Sequence, residues 1–228
     1  MSARSIPGMS VDEAIRRRRS VRGFLPDEVP EAILREVFEL AQWSPSNCNV
    51  QPWSPHLVSG AELNRLRDAL VAAAERDEPI RSDWPADGKF VGVHRERQIN
   101  AALQLYGAMG VERADRVGRK QAYVHNQAFF DAPHAVFVFM PAPFDTREAA
   151  DIGMYAQTLM LALVARGIDS CAQGALSLYP DIVREHLGVE SRYRLLFGVS
   201  FGYADPDVKA NAARVGRARL DDAVTFHR

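Results

Sequence analysis

Residues 44 to 53 read SPSNCNVQPW. Upstream, the spacing of Ile33, Leu34, Val37, Phe38 and Ala41 predicts an amphipathic helix. It starts at Pro30, a favoured first helical position, and Pro45 ends it. Serine, asparagine and proline then favour turns, because short polar side chains bond the local backbone and proline pre-sets φ. On residue chemistry alone, 46–53 is a polar loop. Cys48 inside it is either a nucleophile or a small packed residue at a turn, and the packed reading outweighs the other.

Moving toward the N-terminus, residues 16 to 24 read RRRRSVRGF, with five arginines in the seven positions from Arg16 to Arg22. A helix is predicted from Ser10, its N-cap, to Arg19. Val11, Ala14 and Ile15 share one face of it. Arg18 falls on that face and Arg19 at its edge, whereas Arg16 and Arg17 point elsewhere and read as solvated. A charge on an apolar face needs a counter-charge, because burying it alone is too costly. Arg18 is therefore expected to hold an anion.

The whole chain narrows what that anion can be. Its 228 residues are ample for a core, with 47% apolar and 25% charged residues as in ordinary globular proteins. Lys plus Arg is 28 against 29 for Asp plus Glu, a net charge of −1. A nucleic-acid binder normally carries a basic excess, so the arginine run has a local meaning. Cys48 and Cys171 form no CxxC pair and no secretory leader is read at the N-terminus, which predicts reduced thiols in a cytoplasmic protein. The stretch 152–165 is uncharged but too short to span a bilayer, so no membrane role is expected. It reads as a helix buried on all sides, in a core or a subunit interface.

Strands are predicted at 56–59, 135–140, 168–172 and 195–201, and further helices at 61–75, 95–109, 147–166 and 180–187, an α+β or α/β order. Residues 78–89 read as an exposed insertion, and the tail from Tyr203 as an aperiodic arm. GxGxxG and GxxxxGK[ST] are both absent, which argues against a separate nicotinamide domain. The six histidines show no paired-ligand spacing, so no metal is expected.

Four segments in this order, RRSVRGF (18–24), SPSNCNVQPW (44–53), CAQGAL (171–176) and RARLDDAV (217–224), resemble the FMN-dependent nitroreductase family. YGAMGVERADR, HNQAFFDAPHAVFVF and CAQGALSLYPDIVREHLGV look closest to its nitrobenzoate-reductase-like branch. The resemblance spans nearly the whole chain. It implies an α+β fold with a mixed sheet flanked by helices, in one domain, 1–228, with a lid insertion around 78–124 and an arm from about 203. It also implies an intertwined homodimer with two FMN sites at the interface.

Carried over by position, Arg18 and Ser20 contact the FMN phosphate together with Arg217 and Arg219, since guanidinium forks suit phosphate oxygens. Arg19 adds a backbone or side-chain contact. Arg22 lies at the pyrimidine edge of the flavin, where a fixed positive charge stabilises the charge that reduction places on the ring. Pro45, Ser46, Asn47 and Asn49, with Gln51 following, reach the cofactor held mainly by the other subunit. Ala172, Gln173 and Gly174 end a strand that aims a backbone N–H at flavin N5, and Gly174 permits close approach. Asn126 contacts the ribityl chain or the ring. Many relatives carry Glu in place of Gln173 and a lysine in the segment corresponding to 125–128, which this chain lacks. Trp84, Tyr106 and Tyr123 in the lid region are either stacking residues or simple packing.

The implied activity is reduction of a nitroaromatic or quinone acceptor by NAD(P)H in ping-pong order, and the branch points to a nitrobenzoate-like acceptor. The flavin carries the chemistry, no side-chain acid or base is demanded, and NADH or NADPH preference stays open. Two other readings remain: a same-fold flavoenzyme of different reaction (ene reductase, dehydrogenase, dehalogenase or flavin-fragmenting enzyme), and a flavin-binding protein without turnover.

Overall fold

The least polar strand organises the rest. In the computed structural model, which describes residues 8–84 and 89–228, strand β2 (His134–Pro141, HAVFVFMP) is buried along almost its whole length. It pairs antiparallel with β1 (Ser54–Ser59) on one side and β4 (Tyr193–Gly202) on the other, and β4 pairs antiparallel with β3 (Asp169–Gln173). The sheet order is β1-β2-β4-β3. Side chains alternate faces along a strand, so a strand apolar at every position must be covered on both sides. Ala135, Phe137 and Phe139 pack beneath α3 (Gly60–Glu75) and α7 (Pro180–Leu187). Val136, Val138 and Met140 pack against α2 (Glu31–Ala41) and α6 (Thr146–Val164). The pairing of β2 with β4 shifts register between Val138 and Phe139. The extra residue lets Leu195 join the first core while Val199 and Phe201 join the second.

The α+β reading holds; the four-stranded sheet is antiparallel throughout, and the one parallel pairing among the described residues is an isolated bridge between Ser20 and Ser170. The predicted strands lie within one or two residues of the observed ones. Helix α1 (Val11–Arg17) starts at Ser10 with a reciprocal capping box to Glu13. It ends two residues early: Arg18 is its extended C-cap, not a member of a helical face. Of the predicted apolar face only Ala14 is buried, while Val11 and Ile15 are 70% and 51% exposed. Helix α2 likewise stops at Ala41, four residues before Pro45, because Trp43 and Ser44 already turn back onto Leu40 and Ala41. Helix α6 buries Ile152, Tyr155, Leu159 and Leu163 but exposes Gly153, Met154 and Gln157, so 152–165 is not covered on all sides within one chain.

Two helices occupy the region read as a lid. The expected 95–109 helix is α4 (Gly92–Met109), which buries none of its residues and packs on the turn Lys209–Ala212 of the arm. The other, α5 (Arg116–Gln127), was not expected. Its Asp115 cap bonds the Gly118 amide, but an early glycine and a mostly polar sequence leave it few apolar residues. Of the expected 78–89 insertion, residues 85–88 lie outside the described residues. No described helix is long and apolar enough to cross a membrane.

Candidate functional site

Beyond α1 the backbone is extended, so period 2 replaces period 3.6 and the arginine run divides by parity. The Val21 amide donates to the Ser170 carbonyl (3.1 Å), which lays the segment along the edge of β3, and Val21 is fully buried. Arg18, Ser20 and Arg22 all face the buried Cys171 thiol. Burial pushes that thiol up, and Arg22, the Ser20 hydroxyl and Arg18 pull the other way. Arg18 thus belongs to the expected cluster by strand alternation rather than by a helical face.

Arg18 is half-buried with Arg217 beside it, and desolvation first, then the like charge of Arg217, hold its pKa below the ordinary guanidinium value. Among the described residues no carboxylate pairs with either. Two cations held together without a counter-ion make a seat for an anion. Arg217 also donates to the carbonyls of Val215 (3.0 Å) and Gly216 (3.1 Å). Arg219 is exposed and precedes the turn Leu220–Asp222.

Arg19, of opposite parity, is directed elsewhere: its guanidinium donates to the Asn211 carbonyl (2.6 Å) and faces Asp169. Asn211, which sequence reasoning missed, is buried and pins the arm to this strip. Its Oδ1 accepts the Arg22 amide (2.7 Å), and its Nδ2 donates to the carbonyls of Gly23 (2.8 Å) and Asp205 (2.9 Å). Gly23 is needed for that contact, since a Cβ there would meet Val208 at 2.5 Å. Nothing local marks Asn211, because its partners are up to 192 residues away.

Beside this strip lies a pocket of about 140 Å³. Arg22, Tyr106, Tyr123, His125, Asn126 and Phe130 line it, with Leu105, Met109, Ala122 and Ala210 as its apolar floor. Tyr106 and Tyr123 are therefore pocket residues, whereas Trp84 is not. Trp84 packs against the α2–α6 core with the Arg194 guanidinium 4.0 Å over its ring, so it is a packing residue. His125 Nε2 bonds Asp131 (2.9 Å), which holds that carboxyl below its usual range. Phe129, Phe130 and Asp131 all take positive φ (61°, 54° and 63°), a strained turn that places Asp131 under His125.

At the end of β3, Ala172 and Gly174 are exposed, and a Cβ built on Gly174 meets no heavy atom within 4 Å. That surface is open to a flat ligand. Gln173 differs: its side chain is buried, donating to Asn126 and accepting from the Ser200 hydroxyl, so any contact it makes outward is through its backbone.

The loop of 45–51 stands apart. Its shape is held by the Asn47 amide donating to Asp151 (3.0 Å) and the Gln51 amide donating to the Ser46 hydroxyl (3.0 Å). Cys48, Asn49 and Gln51 adopt left-handed φ of 48°, 55° and 47°. Pro45, Asn47, Asn49 and Gln51 are exposed, and no residue of the loop lines the pocket. The structure thus gathers Arg18, Ser20, Arg22, Asn126 and Arg217 in one region of the chain and leaves the loop outside the pocket lining.

The Nitroreductase family model matches residues 15–203. The chain is similar to nitroreductase NfnB of Mycolicibacterium smegmatis, 46% identical with both chains fully covered. It is also similar to a 4-nitrobenzoate reductase of Pseudomonas putida, 30% identical over 90% of each. Among solved structures, the FMN-dependent nitroreductase NfnB from Mycobacterium smegmatis in complex with NADPH superposes with a TM-score of 0.92 at 45% identity, covering 95% of this chain and 97% of that one. The FMN- and NADPH-dependent NfnB from sphigopyxis sp. strain HMH gives a TM-score of 0.92 at 31% identity, covering 96% and 100%.

Proposed function

The chain belongs to the Nitroreductase family, and on that premise we propose that it is an FMN-dependent oxidoreductase that uses NAD(P)H to reduce nitroaromatic acceptors. The observation that carries the reading is the half-buried Arg18 beside Arg217, with no carboxylate paired to them among the described residues, a donor set that fits a terminal phosphate. The pocket adds a cationic edge at Arg22 and aromatic walls at Tyr106 and Tyr123, and at the end of β3 the backbone at Gly174 is open.

When bound, the flavin supplies the two-electron transfer between nicotinamide and acceptor. The chain's own residues bind, orient and exclude water. Arg18, Ser20 and Arg217 hold the phosphate, with Arg219 available from the arm. Arg22, its amide fixed by Asn211, keeps a positive charge where reduction adds a negative one. A nitrobenzoate-like acceptor, or a quinone, then takes the place the nicotinamide leaves. NAD(P)H should bleach the yellow protein within one turnover, the denatured protein should yield FMN, and double-reciprocal plots at several acceptor concentrations should be parallel. Recovery of FAD, or of no flavin after reconstitution, would refute the reading.

The 1–228 chain acts as one domain with α4 and α5 as its lid, and it works in the cytoplasm as a homodimer. Val11, Ile15, Trp43 and Met154 expose apolar surface that a second copy would remove from water, as would Leu220 and Phe226 of the arm. The 45–51 loop of one copy then completes the site of the other. Co-expressing Arg18→Glu with the double variant Asn47→Asp, Asn49→Asp tests this. A mixed dimer with shared sites collects every defect in one site and recovers up to half the wild-type activity, whereas sites built from single chains recover none.

A further inference from the structure

Asn126 lies in the pocket wall with Arg22, and the side chains behind it leave its amide one orientation. The backbone carbonyl of Asn126 can only accept a hydrogen bond. The Gln173 atom 2.8 Å from it must therefore be the donor Nε2 and not Oε1. The same nitrogen lies 2.7 Å from the Asn126 side chain, so the atom it meets there must be the acceptor Oδ1. Gln173 Oε1, facing the other way, accepts from the hydroxyl of the fully buried Ser200. Because Oδ1 is turned back onto Gln173, Asn126 presents Nδ2 to the pocket, an N–H donor group next to a guanidinium that is itself donor-only. Among the described residues, no carboxylate lines the pocket to receive them.

We propose that Gln173 is a positioning residue that locks Asn126 as a hydrogen-bond donor, so that the pocket selects a ligand edge made of acceptors only. This deepens the flavoenzyme reading and rests on it for the ligand. Two sources present such an edge: the carbonyl and ring-nitrogen edge of FMN, and the carboxylate or nitro group of an aromatic acceptor. A glutamate at 173 would undo the lock. Its carboxylate cannot donate to the Asn126 carbonyl; it accepts from Asn126 Nδ2 instead, which turns Oδ1 toward the pocket. Lone pairs would then face lone pairs.

The test is a double-mutant cycle on Gln173→Glu and Asn126→Ala, read by two titrations. One adds FMN to the apoprotein; the other adds benzoate to the FMN-loaded protein and follows the flavin absorbance. With Asn126 present, Gln173→Glu is expected to weaken one of the two affinities about tenfold or more, the cost of an inverted partner at a desolvated site. In the Asn126→Ala background the same substitution should change it by less than about twofold, and the titration affected identifies the source of the edge. Ser200→Ala adds no charge, frees Gln173 Oε1, and should produce a smaller loss in the same titration, again only with Asn126 in place. Equal losses in both backgrounds would mean that the new charge acts directly, and no loss in either would mean that Asn126 is not read; both results overturn the lock. A wild-type chain that takes up no FMN would instead overturn the functional reading, and benzoate binding to the flavin-free chain, read by calorimetry in the same four variants, would then decide the lock alone.

Discussion

Replacing Arg18 with glutamine should separate binding from folding. In the free chain Arg18 is half-buried beside a like charge, and its pKa is held down by burial and by Arg217. Removing it relieves a repulsion. Because Arg217 is exposed, that relief is below about 1 kcal/mol. The apoprotein should therefore unfold at the wild-type temperature or slightly above it. Phosphate binding should suffer instead. A guanidinium fork supplies two charge-assisted hydrogen bonds at about 1.5–3 kcal/mol each, and glutamine restores part of one. A net loss of about 3 kcal/mol raises the FMN dissociation constant roughly 150-fold. With FMN at about 100 times the wild-type constant, ligand linkage stabilises the wild type by about 2.7 kcal/mol, and the variant by only about 0.3 kcal/mol. Flavin fluorescence quenching gives the affinity, and thermal unfolding with and without FMN gives the linkage. An apoprotein destabilised by the substitution, with FMN affinity within about twofold of wild type, would refute the anion-seat reasoning.

Asn211→Ala removes three hydrogen bonds from a buried side chain and leaves the Arg22 amide and the Gly23 carbonyl without their partner. It should cost about 2–4 kcal/mol in urea unfolding and weaken flavin binding as well, since the arm carrying Arg217 is released; unchanged stability would show the arm is not pinned there. His134 is buried and neutral, its Nε2 accepting the Val29 amide (2.9 Å) and its other ring nitrogen bonded to Ser59. Burial lowers its pKa, with Glu28 opposing weakly, so the unfolded chain binds more protons at mildly acid pH. Its contribution is fully present above the unfolded value of about 6.5 and is lost as pH falls through the depressed folded value. His56, also lowered by burial, acts in the same sense. Melting temperature should therefore fall from pH 7 toward pH 5, and His134→Gln, which keeps both hydrogen-bonding roles, should flatten that slope in part. A slope identical to wild type would exclude His134 as its source.

Periodicity and composition were enough for the four strands and most helices, because each is decided by which residues must leave water locally. The strand HAVFVFMP is apolar at nearly every position, and only a sheet covered on both faces satisfies it. The spaced segments 18–24, 44–53, 171–176 and 217–224 were enough to identify the family, which the family model and the relatives bear out. Where the side chains of those segments go was beyond the sequence. Arg18 and Arg19 are neighbours of the same type, yet one lies beside Arg217 and the other bonds the Asn211 carbonyl, because an extended backbone along β3 sends alternate residues to opposite sides. Helix α5 packs on α3 but buries only Gln127, so its mostly polar sequence held too few apolar residues to mark it. The donor polarity of Asn126 depends on the Gln173 side chain 47 residues away and on Ser200 beyond it, each fixing the next. Burial preferences belong to a residue and its near neighbours and can be read along the chain. The direction of a hydrogen bond belongs to a pair, and only the folded structure brings the pair together.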